Sequence, residues 1–180
     1  MKNKIEYIKR IIDDYEYISF DIFDTLISRN FPKPSNIFNI LGRDNKNAES
    51  SFSEQRIMAE KEARIMSEKE EVTLPEIYKN IKTLSNKQDS ELIQNEEELE
   101  ITLSVAIKNN KKLLDYCNDK HKKIIIISDM YLNKSVIKEI LDKNEIKYYK
   151  LYVSSDIKLT KETGNLFLYA LKDMNISGKQ

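Results

Sequence analysis

Two carboxylates three residues apart, Asp21 and Asp24, fall at the end of the stretch Tyr17-Ile18-Ser19-Phe20-Asp21-Ile22-Phe23-Asp24-Thr25-Leu26. A charge inside a buried apolar run is costly unless it is paired or binds a metal. Both acids therefore belong where a strand emerges at its carboxyl end, the edge at which open α/β sheets bind ligands. Ser128 closes a second run, Lys123-Ile124-Ile125-Ile126-Ile127-Ser128, and Lys161 follows a third at residues 149–154. If the three strands are parallel, one sheet edge collects a carboxylate nucleophile, a hydroxyl, a lysine and a second acid. A carboxylate can attack a phosphoryl group and form an aspartyl-phosphate. Lysine and a bound Mg²⁺ would stabilise the charge on the transferring oxygens. Mg²⁺ favours oxygen ligands and keeps several waters, so one or two carboxylates suffice to hold it.

The elements that must position these groups follow from periodicity. Residues 4–15 carry Ile5, Ile8, Ile11, Ile12 and Tyr15 at helical spacing, so an amphipathic helix precedes a first strand at 17–22. Pro32 and Pro34 then break regular structure. Ser35 is an N-cap for a short helix with Ile37, Phe38, Ile40 and Leu41, closed by Gly42 just past its end. Residues 43–51 read as loop, and 52–69 as helix. Thr73-Leu74-Pro75-Glu76 is a capping box opening a helix with Ile77, Tyr78, Ile81 and Leu84. Residues 89–106 are helical, Asn109-Asn110 marks a break, and Leu113, Leu114 and Tyr116 continue on another helix. Four consecutive isoleucines make 123–128 a buried strand. A helix at 133–143, a strand at 149–154 and a helix at 162–174 complete the chain.

The second and third strands are joined by one helix, an ordinary right-handed βαβ unit. The first and second are separated by roughly three times what such a crossover needs. The surplus predicts a Rossmann-like parallel α/β core, residues 1–29 and 119–180, interrupted by a helical insertion at 30–118. The insertion leaves the sheet just past Asp24, so it sits over the acids as a lid.

The totals exclude several classes. The 180 residues carry 30 basic and 30 acidic side chains, so no charge excess points to nucleic acid or an anionic membrane. No apolar run approaches the ~20 residues of a bilayer span, and Met1-Lys2-Asn3-Lys4-Ile5-Glu6 lacks the apolar core of a signal peptide. A cytoplasmic protein is the expectation. Cys117 stands alone, which rules out an intrachain disulfide.

The ordered set resembles the haloacid dehalogenase-like hydrolases over nearly the whole chain. Phe20-Asp21-Ile22-Phe23-Asp24-Thr25-Leu26 is similar to that family's first motif, whose leading Asp is the nucleophile. Residues 124–128 with Asp129-Met130-Tyr131-Leu132 resemble the second, whose Ser binds the phosphoryl group. Thr160-Lys161-Glu162-Thr163-Gly164-Asn165-Leu166-Phe167 resembles the third, whose Lys pairs with nucleophile and phosphate. The insertion matches the family's helical cap. The resemblance implies a Mg²⁺-dependent phosphohydrolase acting on a small phosphate ester. Asp21 is then the nucleophile, Ser128 and Lys161 hold the phosphoryl group, and Thr25 and Asp129 are further substrate contacts. The metal falls to Asp21 and the Phe23 carbonyl.

Two departures shape that expectation. The family's phosphatases place an acid/base Asp two residues after the nucleophile, where this chain has Phe23; Asp24 is the available substitute. The superfamily's dehalogenases also carry an aromatic residue there. The family's fourth strand, which carries an acidic metal motif, is expected about where the sequence reaches Ser177-Gly178-Lys179-Gln180. The core is thus expected to be truncated at its C-terminus, leaving the first strand as an apolar edge. A continuation of the chain, a partner or a second copy would cover that edge, and Asp129 and Asp156 are substitute metal ligands. The alternative is a catalytically incomplete binding domain of a larger surface-polysaccharide biosynthesis protein. A receiver domain would also place acids and a lysine at strand ends, but it needs no insertion.

Ordinary uses compete with these roles. Asp21 and Asp24 could cap a turn, and Lys158 rivals Lys161. His121 reads as a solvated loop residue, Cys117 as packing, and Glu96-Glu97-Glu98 as a solvated helix face. Arg29, Arg56 and Arg64 are expected in surface salt bridges, with a substrate anion as the other use.

Overall fold

A computed structural model of the chain describes residues 2–31, 33, 35–44, 51–81 and 86–177. Three parallel strands form the core sheet: β1 (Tyr17–Phe20), β4 (Lys123–Ser128) and β5 (Lys150–Val153), in the order β1-β4-β5. Register pairs Phe20 with Ile126 and Ser128 with Val153. The isoleucine run reads as a central strand because both of its faces are covered. Ile124 and Ile126 pack with Ile12 of helix α1 (Lys2–Asp13), Leu114 of α6 (Lys108–Asp119) and Ile137 of α7 (Lys134–Lys143). Ile125 and Ile127 pack with Leu166 and Ala170 of α9 (Asn165–Met174), which comes after the short α8 (Ser154–Ile157). Among the described residues β1 has a neighbour on one side only, and Ser19 is exposed.

The first strand is shorter than the expected 17–22. The carbonyl of Ile22 accepts the N–H groups of Thr25, Leu26 and Ile27 at 3.3, 2.7 and 2.9 Å. This coils the chain into a tight turn, with Asp24 at φ 58°. The turn feeds β2 (Ile27–Arg29), which pairs antiparallel with β3 (Ser104–Ala106). This ribbon is the neck through which the insertion leaves and returns. It replaces the end of the helix expected over 89–106. Ile107 N then donates to Leu26 O at 2.8 Å, and α6 starts at Lys108, so Asn109 and Asn110 lie in its first turn rather than at a break.

The insertion consists of α2 (Asn36–Asp44), α3 (Ser51–Met66), α4 (Leu74–Tyr78) and α5 (Asn86–Leu103). Gly42 lies inside α2 and is buried, not beyond its end. The capping box forms as the sequence dictates: Thr73 N donates to Glu76 Oε2 at 2.7 Å, and Glu76 N to Thr73 Oγ1 at 3.4 Å. The helix it opens is short, and Leu84 lies outside the described residues. Phe38, Phe52, Ile77 and Leu92 pack into one apolar cluster with Ile22, Leu26 and Ile27, so the core of the insertion is continuous with that of the sheet. The sequence boundary at 118 groups α6 with the insertion; α6 packs on α1 and β4, and Tyr116 Oη donates to Asp13 at 2.7 Å.

The inward stripe of α5 is Leu92, Glu96 and Glu100, all buried. Glu96 is therefore not part of a solvated face; Glu98 is exposed. Arg56, 0% exposed, donates to both Glu96 oxygens at 3.0 and 2.8 Å, and its guanidinium stacks near Phe38, Tyr78 and Tyr131. Arg29 forks onto Glu100 at 2.8 and 3.0 Å. Neither pair is the surface salt bridge the sequence suggested. Arg64, more exposed, bonds Glu60 and Glu71. Among the described residues no helix is long and apolar enough to cross a membrane.

Candidate functional site

The site forms where β1 and β4 end. Asp21 follows the last residue of β1, and its side chain keeps 39% of its exposure. Lys161 Nζ donates to its Oδ1 at 2.7 Å, and Thr25 Oγ1 reaches Oδ2 at 3.5 Å. Thr25 is itself held from the far side of the insertion, because Asn110 Nδ2 donates to its carbonyl at 2.7 Å. Ser128 ends β4, two residues past Ile126, the partner of Phe20 at the end of β1. Ser128 is 1% exposed, and its Oγ has no hydrogen-bond partner among the described residues.

Lys161 is aimed by its backbone. Its N–H donates to both Asp129 oxygens at 3.0 Å. Burial holds the Asp129 carboxyl above the usual carboxylate range, opposed by the Lys161 N–H and the Lys161 charge, while nearby Glu71 and Asp21 push the same way as burial. Gly164, at φ 81°, turns the chain from the Lys161 loop into α9, a conformation that favours glycine. Lys158 is no rival: its Nζ donates to Glu76 Oε2 at 2.8 Å. Five of the named residues, Asp21, Thr25, Ser128, Asp129 and Lys161, thus gather at one end of the sheet.

Two others stand apart. Asp24 is exposed, and its backbone N–H donates to Ile27 O at 2.8 Å. Phe23 is half-buried under the Arg29 guanidinium, 4.3 Å from its ring centre. Burial opposes the Arg29 charge, yet Glu100 and, more weakly, Asp24 hold its pKa above the ordinary value. Asp156 lines an open groove of about 630 Å³ with Tyr149, Lys150 and Tyr169, beside β5 and α9. His121 is exposed in a turn, and Cys117 is fully buried, its thiol pushed up to about 11 by that burial.

Among the described residues no three acids, histidines or cysteines stand close enough to enclose a metal ion. Asp129 has both oxygens engaged by the Lys161 N–H. The Asp21 carboxylate accepts from Lys161 Nζ at Oδ1 and from Thr25 Oγ1 at Oδ2; as a hard oxygen donor it is the group here that would suit Mg²⁺, which keeps several waters.

Sequence reasoning missed the contribution of the loop between α3 and α4. Ser154 Oγ accepts from Met130 N and donates to the buried Glu71 at 2.8 Å for each bond. Glu70 accepts from Thr160 N at 2.8 Å and Thr163 Oγ1 at 2.7 Å. A Glu-Glu pair just before a capping box carries no local signal of such contacts.

No protein-family model matches the sequence, and a search of curated proteins found no match. Solved structures do match. A structure from Thermotoga maritima named as a beta-phosphoglucomutase superposes with a TM-score of 0.62 at 14% identity, covering 91% of this chain and 72% of that one. The chain has the haloacid dehalogenase-like fold. A predicted phosphoglycolate phosphatase from Haemophilus somnus gives 0.59 at 12% identity, over 90% of this chain and 72% of that one. The L-2-haloacid dehalogenase from Xanthobacter autotrophicus gives 0.57 at 8%, over 90% and 66%. The Rossmann-like parallel sheet with an inserted helical cap is the architecture the sequence implied.

Proposed function

We propose that this haloacid dehalogenase-like chain is a phosphohydrolase that moves the phosphoryl group of a small phosphate ester onto Asp21 and then to water. The observation that carries the reading is the Ser128 hydroxyl, buried at the end of β4 without a partner among the described residues, at the sheet end that carries the Asp21–Lys161 pair. A buried hydroxyl in that state costs about 1–3 kcal/mol, and an anion held between it and Lys161 would satisfy it.

In this reading Lys161 Nζ and the Ser128 and Thr25 hydroxyls donate to the non-bridging oxygens. An Asp21 oxygen forms a bond to phosphorus as the ester P–O bond breaks, and the leaving oxygen takes its proton from water. Water then attacks phosphorus, the P–O bond to Asp21 breaks, and phosphate leaves with the carboxylate restored. Asp21 and the Phe23 carbonyl would hold a Mg²⁺ ion, whose charge would offset that of the phosphoryl oxygens. The cap excludes bulk water from the transfer. With Phe23 in place of an acid, a leaving group that needs no proton is the apt probe.

The test is Mg²⁺-dependent release of phosphate from an aryl phosphate. Turnover lost in Asp21→Asn supports the reading, and full turnover in that variant defeats it. Phosphate binding without turnover selects a non-catalytic binding domain instead, and halide release from a haloacid selects dehalogenation. The proposal includes a partner or a second copy covering the outer edge of β1; a monodisperse monomer in light scattering whose β1 amides are protected by another part of the same chain would count against it.

A further inference from the structure

The loop joining α3 to α4 crosses from the cap to the core, and Glu70 is its furthest reach. Its carboxylate accepts from Thr160 N at 2.8 Å, from Thr163 Oγ1 at 2.7 Å and from the Asn165 side-chain amide. These partners bracket Lys161. Consecutive amides, Thr160 N and Lys161 N, are thereby fixed by two carboxylates from different parts of the fold, Glu70 of the cap and Asp129 past the end of β4. A lysine side chain is long and flexible, so the place of its amine is set by how firmly its backbone is held. We infer that Glu70 is a positioning residue: it makes the docking of the cap and the aiming of Lys161 at Asp21 one event. The inference rests on the phosphohydrolase reading for its effect on rate, and on geometry alone for its effect on the loop.

A purely adhesive role for Glu70 is separable. The cap is also tied to the core by Glu71, which accepts from Ser154 Oγ at 2.8 Å, and by Glu76, which accepts from Lys158 Nζ at 2.8 Å. Both ties survive removal of Glu70, so the cap stays docked while the Lys161 loop loses its cap-side clamp. The loss then falls on the transition state, where the amine must meet developing charge, more than on substrate capture.

The experiment compares Glu70→Ala and Glu70→Gln with the wild-type chain by aryl phosphate turnover and by hydrogen exchange at the Lys161 amide, whose own acceptor is Asp129. Glu70→Ala is expected to lower kcat at least tenfold with KM within about twofold, and to speed Lys161 exchange at least tenfold while the β4 amides keep their rates. Glu70→Gln, which retains an acceptor oxygen, recovers part of both. Wild-type Lys161 exchange in Glu70→Ala overturns the inference, as does faster exchange with unchanged kcat, or a rise confined to KM. A wild-type chain without turnover defeats the phosphohydrolase reading alone, and the Lys161 exchange rate still decides whether Glu70 holds the loop.

Discussion

Lys161 Nζ lies 2.7 Å from Asp21 Oδ1 although 140 residues separate the two in the chain. Three features bring them together: the parallel register of β1 with β4, the Asp129 carboxylate on the Lys161 N–H, and the turn at Gly164. The side chains keep 24% and 39% of their exposure. An ion pair that wet contributes no more than about 1 kcal/mol to stability. On the proposed reading the contact therefore serves chemistry rather than folding. Lys161→Ala is expected to cut aryl phosphate turnover by about 10²–10³ while the thermal midpoint moves little. A large drop in midpoint with proportionate loss of activity would assign the lysine to structure.

Ser128 offers the opposite signature. Its hydroxyl is buried without a partner, so Ser128→Ala removes an unsatisfied group and breaks no hydrogen bond among the described residues. Urea unfolding should show the variant as stable as the wild type, or more stable by up to about 1 kcal/mol. Inorganic phosphate should bind it several-fold more weakly. Destabilisation with unchanged phosphate affinity would count against an anion-binding role.

The sheet was legible because its signal is local. Four isoleucines in a row cannot be half-exposed, and the length of chain between Asp24 and Lys123 dictates an insertion. Ser128 and Lys161 could be placed from the ends of the runs that precede them. The β2–β3 neck was not legible, because Ile27–Arg29 and Ser104–Ala106 are three-residue strands whose pairing depends on each other. Glu96 and Glu100 misled for a related reason. Carboxylates on a helix default to solvent, and only the partners Arg56 and Arg29, distant in sequence, make their burial affordable. Glu70 belongs to the same class: its partners Thr160, Thr163 and Asn165 are defined only once the cap is docked.

Those buried pairs give a stability prediction. Arg56 forks onto Glu96, and Tyr78 Oη donates to the same carboxylate at 2.8 Å. Glu96→Ala leaves the buried guanidinium with Glu60, at 3.3 Å, in place of a two-point fork and should cost about 3 kcal/mol in urea unfolding. Removing both charges together, with Arg56→Met and Glu96→Met, should recover most of that, since the surroundings, Phe38, Tyr78 and Tyr131, are aromatic. A double variant as unstable as Glu96→Ala would show that the pair's attraction exceeds its desolvation cost.

The cap–core contacts should also loosen in acid, with a sign the structure fixes. The Thr163 hydroxyl, then the Thr160 N–H and the Asn165 amide, hold the Glu70 carboxyl below its ordinary 4.5. Lys158 does the same for Glu76. A carboxyl with a depressed folded pKa binds fewer protons in the folded chain than in the unfolded one. Its contribution is complete above the ordinary value and disappears as pH falls through the depressed one. Burial pushes Asp129 and Glu100 the other way, so global unfolding mixes the two signs and a local probe is required. The amide resonances of Thr163 and Asn165 should shift with a midpoint below 4.5, and Glu70→Gln should abolish that transition. A midpoint at or above the ordinary value, or one that persists in Glu70→Gln, would mean that these amides report some other acid.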